Sequence, residues 1–337
     1  MDATLQYPDQ AYGAGDTLAL AAVEYASEAI TKFNNASIYG QHVMRVPAAL
    51  GTYAKKITAI ANSEAEDLER GVERAGSNQP EGEGRIVTLD TKQLIADHHQ
   101  DEIADFINHV NTQAAYAAED AQAVAATVDK RLSACISLGA RVTARGAGAD
   151  QFPAGNIVTA AAGGAVTVAY PVSLAGSRAL QDKAAEMAQA MDEKNIPRMG
   201  RVMFIDPYLH RVLRQDKTLL SADFQSTNDM LTRRLLVVED FMVEVTNNMA
   251  QADWSAYSQP NYADQTINTI VVDADFQKVV AQFIGAPDAV AQLMALGDIR
   301  PFGPTWIEDK HSWYFGCKMW QGAAPLRFEA CGELVLQ

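Results

Sequence analysis

The stretch from Asn111 to Leu138 constrains this chain more than any other. Ala114, Ala117, Ala121, Val124, Ala125, Val128, Leu132, Cys135 and Ile136 recur at three- and four-residue spacing, which predicts one long amphipathic helix. Gly139 is its natural stop. At about 1.5 Å per residue the element spans roughly 40 Å. Its apolar face is mostly alanine, which lets neighbours approach closely but buries modest area per residue. Such a helix suits a structural spine better than the wall of a compact pocket.

The elements around this spine are mixed. A first helix is expected from Thr17 to Phe33, capped by Asp16, with Val23, Ala26, Ile30 and Phe33 on one face. From Val46 to Asp90 the text changes. Ile57, Ala59 and Ala61 alternate with polar neighbours, and Ile86 to Leu89 reads as a second strand. Between them lie the charged run Asn62 to Arg70 and the turn-rich run Gly76 to Gly84. Two strands around a polar excursion predict a long hairpin-like loop that must lie on something else for support.

After the spine, a Gly- and Ala-rich stretch from Gly139 to Gly176 predicts loops with short strands, one at Ala165–Tyr170. A helix follows from Arg178 to Lys194, with Ser177 as N-cap and Leu180, Ala184, Met187, Ala188 and Met191 as its apolar stripe; Pro197 stops it. Val202–Ile205 reads as a strand ending at Asp206-Pro207, which opens a short helix toward Arg214. Leu235–Val245 contains an alternating strand with Phe241, Val243 and Val245 on one face, and Ile267–Val272 reads as another. The period at Val279–Ile284 does not choose between strand and helix. Asn247–Gln265 reads as an exposed loop, and Trp313–Leu336 as two strands around Gly322–Pro325. The mixture is neither strict βαβ alternation nor all-β, so the fold class expected is α+β.

Composition excludes several functions. The chain has 337 residues, 48% of them hydrophobic and 20% charged, as globular chains do. No run of about 18 apolar residues is present, so no membrane partner is expected. The first ten residues lack the basic start and apolar stretch of a signal peptide. The net charge is −15 and the longest basic cluster is Arg233-Arg234, which argues against sequence-specific DNA binding. An acidic protein can still surround DNA without gripping it. Cys135, Cys317 and Cys331 fit neither a zinc ribbon nor a redox CxxC, and read as buried small hydrophobes.

The candidate chemistry is sparse. If helical, His98, Glu102, Asp105 and His109 share one face, next to His99 and Asp101, and could bind a divalent metal. They match no specific motif, and a solvated helix face explains them better. No GxSxG elbow and no phosphate loop occur, and Ser177 is explained as a cap. The pairs Glu64/Glu66, Asp67/Glu69 and Glu81/Glu83 sit in the most polar segment, where nothing desolvates them into acid–base dyads. Trp313, Tyr314, Phe315 and Trp320 lack interleaved basic residues and read as core or interface aromatics. No catalytic, cofactor-binding or metal residues are expected, and no cofactor.

Two segments carry a family resemblance. Asn195 to Tyr208 is a proline turn, an apolar strand, then Asp-Pro opening a helix; Gly322 to Val335 reads Gly-Ala-Ala-Pro-Leu-Arg-Phe-Glu-Ala-Cys-Gly-Glu-Leu-Val. With the order of elements, they resemble the major capsid proteins of tailed, short-tailed bacteriophages, which have the Hong Kong 97-type capsid fold. The family often has proline where this chain has Phe328. The resemblance implies an N-terminal arm (1–45), an extended loop (46–92), a peripheral domain with the spine helix (93–200), an axial domain (201–300) and a C-terminal return to the peripheral domain (301–337). It implies a structural subunit, not an enzyme. That subunit would form hexameric and pentameric capsomers of an icosahedral shell around double-stranded DNA. Its partners would be further copies of itself, a scaffolding protein, a portal protein and a decoration protein. It would assemble in the host bacterial cytoplasm and reside in the virion. Some relatives link subunits through lysine, and Lys55 and Lys56 lie in the matching region. Two other readings remain: an encapsulin-type compartment shell, and a metal-dependent enzyme built on His98, Glu102 and His109.

Overall fold

The computed structural model describes residues 29–30, 32–33, 36–60, 67, 70–71, 82–90, 92–101, 112–144, 153–160, 172–216, 237–249 and 279–336. Its regular elements run in the order β1 (Met44–Pro47), β2 (Ala54–Ile60), β3 (Gly82–Thr88), β4 (Leu94–Asp101), α1 (Thr112–Ala140), β5 (Asn156–Ala160), α2 (Leu174–Glu193), β6 (Val202–Ile205), α3 (Pro207–Leu213), β7 (Val237–Val238), β8 (Phe241–Val245), β9 (Val279–Ile284), β10 (Val290–Ile307), β11 (Ser312–Pro325) and β12 (Cys331–Leu336). The fold is α+β, as expected.

The strands form a four-stranded sheet in the order β1-β10-β11-β4, a six-stranded sheet in the order β5-β12-β9-β6-β8-β7, and the separate hairpin β2-β3. The helix α1 packs along both larger sheets, touching β11, β4 and β10 of one and β12 and β9 of the other. That position explains its composition. Ala117, Ala121, Val124, Ala125, Val128, Leu132, Cys135 and Ile136 are buried, and from Arg131 to Ala140 every residue is buried. On the opposite face of the six-stranded sheet, α2 brings the Met187 and Met191 sulfurs close to Gly332 and Gly285. Leu180, Ala184, Met187, Ala188 and Met191 are all buried, so the expected stripe of α2 is its inner face.

Several expectations need correction. The spine ends at Ala140, one residue past the expected stop at Gly139. An added Cβ there would lie 2.7 Å from Cys331 Sγ, so the glycine admits β12 against the helix. The N-cap of α2 is Ser173, whose hydroxyl accepts from the Gly176 N–H; Ser177 lies inside the helix and donates to the Leu213 carbonyl at 3.0 Å. The strand expected within Leu235–Val245 is β8, and Glu239 and Asp240, both of positive φ, turn it back on β7 in a tight hairpin. The second break is displaced as well: β11 runs unbroken through Gly322 to Pro325, and the turn falls at Leu326–Ala330. Ile30, expected on an inner face, is 41% exposed, whereas Ala29 and Phe33 are buried.

His98 and His99 lie on strand β4 rather than on a helix, so they point to opposite faces. Val279–Ile284 is a strand buried on both sides except at Val280. The expected boundary at residue 300 falls within β10, which pairs with β11 on both sides of it. The strands expected at 165–170 and 267–272, most of the helix expected from Thr17, and Glu102, Asp105 and His109 lie outside the described residues.

Candidate functional site

Nothing among the described residues gathers into a group of metal ligands. The feature that stands apart from the packed sheets is the hairpin β2-β3, and its root is built in detail. Its register is regular, from Ala54 opposite Thr88 to Ile60 opposite Gly82. At the root, Val87 and Leu89 join Val46, Ala291, Leu293, Ala324 and Leu326 in a small core of their own. The hairpin therefore lies on the face of the four-stranded sheet opposite α1. Gly322 makes this crossing possible, since a Cβ there would sit 1.8 Å from the Thr88 carbonyl oxygen.

Asp90 ties the root to both layers. Its N–H donates to the Gln321 carbonyl at 2.9 Å, and its own carbonyl accepts from Trp320 Nε1 at 2.6 Å. Its carboxylate meets Arg131 Nη1 of α1 at 2.9 Å, with both side chains nearly buried. A second clasp lies along β3. Arg85 donates to the Leu326 carbonyl, and its guanidinium sits 3.7 Å from the Phe328 ring centroid. Phe328, where the resembling family often has proline, thus has a specific partner. Beyond these clasps, Lys55, Lys56 and Ile86 are exposed, and Leu50 is 93% exposed.

Sequence reasoning missed the polar ties that join the spine to the sheets. Gln282 of β9 is fully buried. Its Oε1 accepts from Tyr39 Oη at 2.8 Å and Ser133 Oγ at 2.7 Å, while its Nε2 donates to the Ser133 carbonyl at 3.0 Å and Ser137 Oγ at 2.7 Å. All four hydrogen-bonding sites of the amide are used. A lone glutamine inside Val279–Ile284 was the available signal. Asp129 of α1 accepts from Ser37 Oγ at 2.8 Å and the Ile38 N–H at 2.9 Å, and burial raises its carboxyl above the usual range. Arg141, just past α1, reaches the fully buried Glu333 of β12 at 2.6 Å. Buried Arg201 bonds Asp192 and the Ile196 carbonyl beyond the end of α2, and holds the Asp192 carboxyl below its ordinary range.

Among the described residues, His98 and His99 join no group of metal ligands. His98 Nδ1 lies 3.1 Å from Asp120 of α1, and its ring is 4.1 Å from Phe315 and 4.3 Å from Tyr116 by centroid. His99 faces the other way, 4.9 Å from Tyr314 by centroid. Both histidines therefore serve packing between β4 and its neighbours. The three cysteines are buried and lie in no disulfide. Burial pushes the Cys317 thiol up to about 12 and raises Cys331 as well, so neither is an activated nucleophile.

No family model matches the sequence, and no curated protein matches it in sequence. Solved structures do match, over nearly the whole chain. The capsid structure of cyanophage P-SCSP1u has a TM-score of 0.71 at 18% identity, covering 90% of this chain and 88% of that one. A subunit of the mature capsid of bacteriophage PhiM1 has a TM-score of 0.65 at 16% identity, covering 89% and 87%. A structure of Mycobacterium phage Che8 has a TM-score of 0.56 at 14% identity, covering 88% and 90%. The chain therefore has the α+β fold of phage capsid structures, in line with the Hong Kong 97-type fold expected from its sequence.

Proposed function

We propose that this chain is the structural subunit of an icosahedral phage shell, of the short-tailed type, that assembles into hexamers and pentamers around double-stranded DNA. The observation that carries this reading is the whole-chain likeness to the cyanophage capsid structure, at a TM-score of 0.71 over 90% of the chain. Its role is structural and not enzymatic. The hairpin β2-β3 is the extended loop, firmly rooted at Asp90 and reaching over a neighbouring copy. Residues 201–300 form the axial part, and residues 93–200, which include α1, form the peripheral part together with the C-terminal return 301–337. Scaffolding, portal and decoration proteins are its further partners, and assembly takes place in the bacterial cytoplasm.

The test is direct. The purified chain is expressed alone and with its scaffolding protein, then sized by light scattering and imaged in negative stain. Closed shells, or rings of five and six, are the expected result. A chain that stays monomeric at high concentration with scaffold present refutes the reading.

A further inference from the structure

Part of one face of the four-stranded sheet is exposed, at Ile95, Asp97 and Arg300. It is the face turned away from α1, on the β11-β4 side of the hairpin root. The pairing register places Arg300 directly opposite Lys318, and Ile95 of β4 beside Lys318. Cross-strand partners share a face, and like charges opposite each other are unfavourable in an isolated sheet. Arg300 is exposed, and among the described residues neither cation has a carboxylate partner. Lys318 Nζ instead lies 5.6 Å from the Phe302 ring centroid, and Phe302 packs 5.4 Å from Tyr314. Ile95 is 53% exposed next to them.

This opposition of cations is built, not incidental. Between Ala295 and Arg300 the register of β10 shifts, so four residues of β10 face the single Met319 of β11. The irregularity buries Ile299 and brings Arg300 opposite Lys318. Extra residues in a strand re-aim side chains in this way. Among the described residues on this face, Asp97 sits opposite Gly316 and accepts from the Tyr314 hydroxyl; burial first, and then this carboxylate, raises that phenol.

The complementary charge is in the same chain. Residues 61–83 carry Glu64, Glu66, Asp67, Glu69, Glu73, Glu81 and Glu83 against only Arg70 and Arg74. Residues 61–81 of this stretch join β2 to β3 at the end away from the root, and seven paired residues at ~3.3 Å each carry the chain about 20 Å before they begin. Its own subunit leaves Arg300, Ile95 and Asp97 exposed.

We propose that the Arg300–Lys318 face receives the acidic segment 64–69 from the hairpin of a second copy of this chain, with the Phe302 and Tyr314 rings as an apolar floor. The inference rests on the shell-subunit reading and names the surface on which the hairpin lands. Bringing carboxylates between two opposed cations converts their repulsion into attraction on both sides. Solvent screens an isolated surface pair, so the partner must also cover Ile95 and the rings to hold. A chain of net charge −15 disfavours nucleic acid as the occupant of so small a basic spot.

The experiment is a charge exchange in the full chain, read by the concentration at which particles form. Arg300→Glu with Lys318→Glu is expected to raise that concentration at least tenfold. Adding Glu64→Lys, Glu66→Lys and Asp67→Lys is expected to return it to within twofold of wild type. Subunits mixed in ¹⁴N and ¹⁵N forms and joined by a zero-length carbodiimide should show Lys318 coupled to carboxylates 64–69 of the other isotope. Unchanged assembly on reversal, no rescue on exchange, or coupling only within one subunit overturns the inference. Normal assembly with lost DNA retention also overturns it and assigns the face to phosphate. Arg300→Met with Lys318→Met keeps the stems; it should give the same defect if the reversed subunits melt below wild type. A wild-type control that never forms particles refutes the shell reading itself, a result distinct from failure of the exchange.

Discussion

Replacing Gln282 by leucine tests the tie between the spine and the six-stranded sheet. Leucine keeps most of the volume but removes four hydrogen bonds, to Tyr39, Ser133 twice and Ser137. The two serine hydroxyls belong to α1 and can turn back to carbonyls four residues earlier. The Tyr39 hydroxyl has one other neighbour, the Ser133 hydroxyl, and loses it when that group turns back to its helix; the residue is fully buried and its ring is stacked on Phe204 at 4.1 Å. An orphaned buried hydroxyl costs about 1–3 kcal/mol, and a neutral bond nets about 1 kcal/mol. The expected loss is therefore about 3 kcal/mol. Urea denaturation of the unassembled subunit, followed by circular dichroism and tryptophan fluorescence, measures it. A double-mutant cycle sharpens the test. Tyr39→Phe alone should cost about 1 kcal/mol, yet in the Gln282→Leu background it should restore roughly 1 kcal/mol by removing the orphan. A Gln282→Leu loss under about 1 kcal/mol, or a Tyr39→Phe effect of the same sign in both backgrounds, would refute the reasoning.

Three further outcomes are expected. Gly322→Ala places a Cβ against the Thr88 carbonyl, where only backbone could yield; stability should fall by about 1–3 kcal/mol, and limited proteolysis should speed up within 48–90. Burial raises the native Asp129 carboxyl, so between the ordinary carboxyl range and that raised value the folded chain holds a proton the unfolded chain releases. Stability from this group therefore falls as pH rises through that window. Asp129→Asn should lack this component, and coincident stability–pH slopes for the two proteins would sink the argument. Finally, native subunits should resist alkylation at Cys135, Cys317 and Cys331 near pH 8, whereas urea-unfolded chains take three labels by mass spectrometry.

Much of the candidate site was legible before any coordinates. Ile57 and Ile86–Leu89 marked the two strands of the hairpin, because a half-exposed strand still alternates. The acidic excursion between them was plain from charge alone. The root was not legible. Asp90, Arg131, Trp320 and Gly322 are far apart in sequence, and nothing local in any of them announces the others. Strand β4 misled for a related reason. Of its inward positions, Ala96 packs on the main core, but His98 meets Asp120, Tyr116 and Phe315 across the fold, so the apolar pattern breaks there.

By itself the sequence determined what repeats over short distances. The three- and four-residue spacing of small apolar side chains specified α1, and the same rule specified the inner face of α2. Asp206-Pro207 specified the start of α3, because a carboxylate and a fixed φ satisfy the first turn locally. Only the tertiary structure decided where these elements stop and what they carry. Gly139, in the last turn of α1, leaves the space that Cys331 fills. Gly322 continues a strand because Thr88 crosses it. Arg300 faces Lys318 because β10 holds extra residues that β11 does not. Local pattern reports which face of an element is apolar; which neighbour fills it, and at what distance, is set by contacts that close over a hundred residues or more.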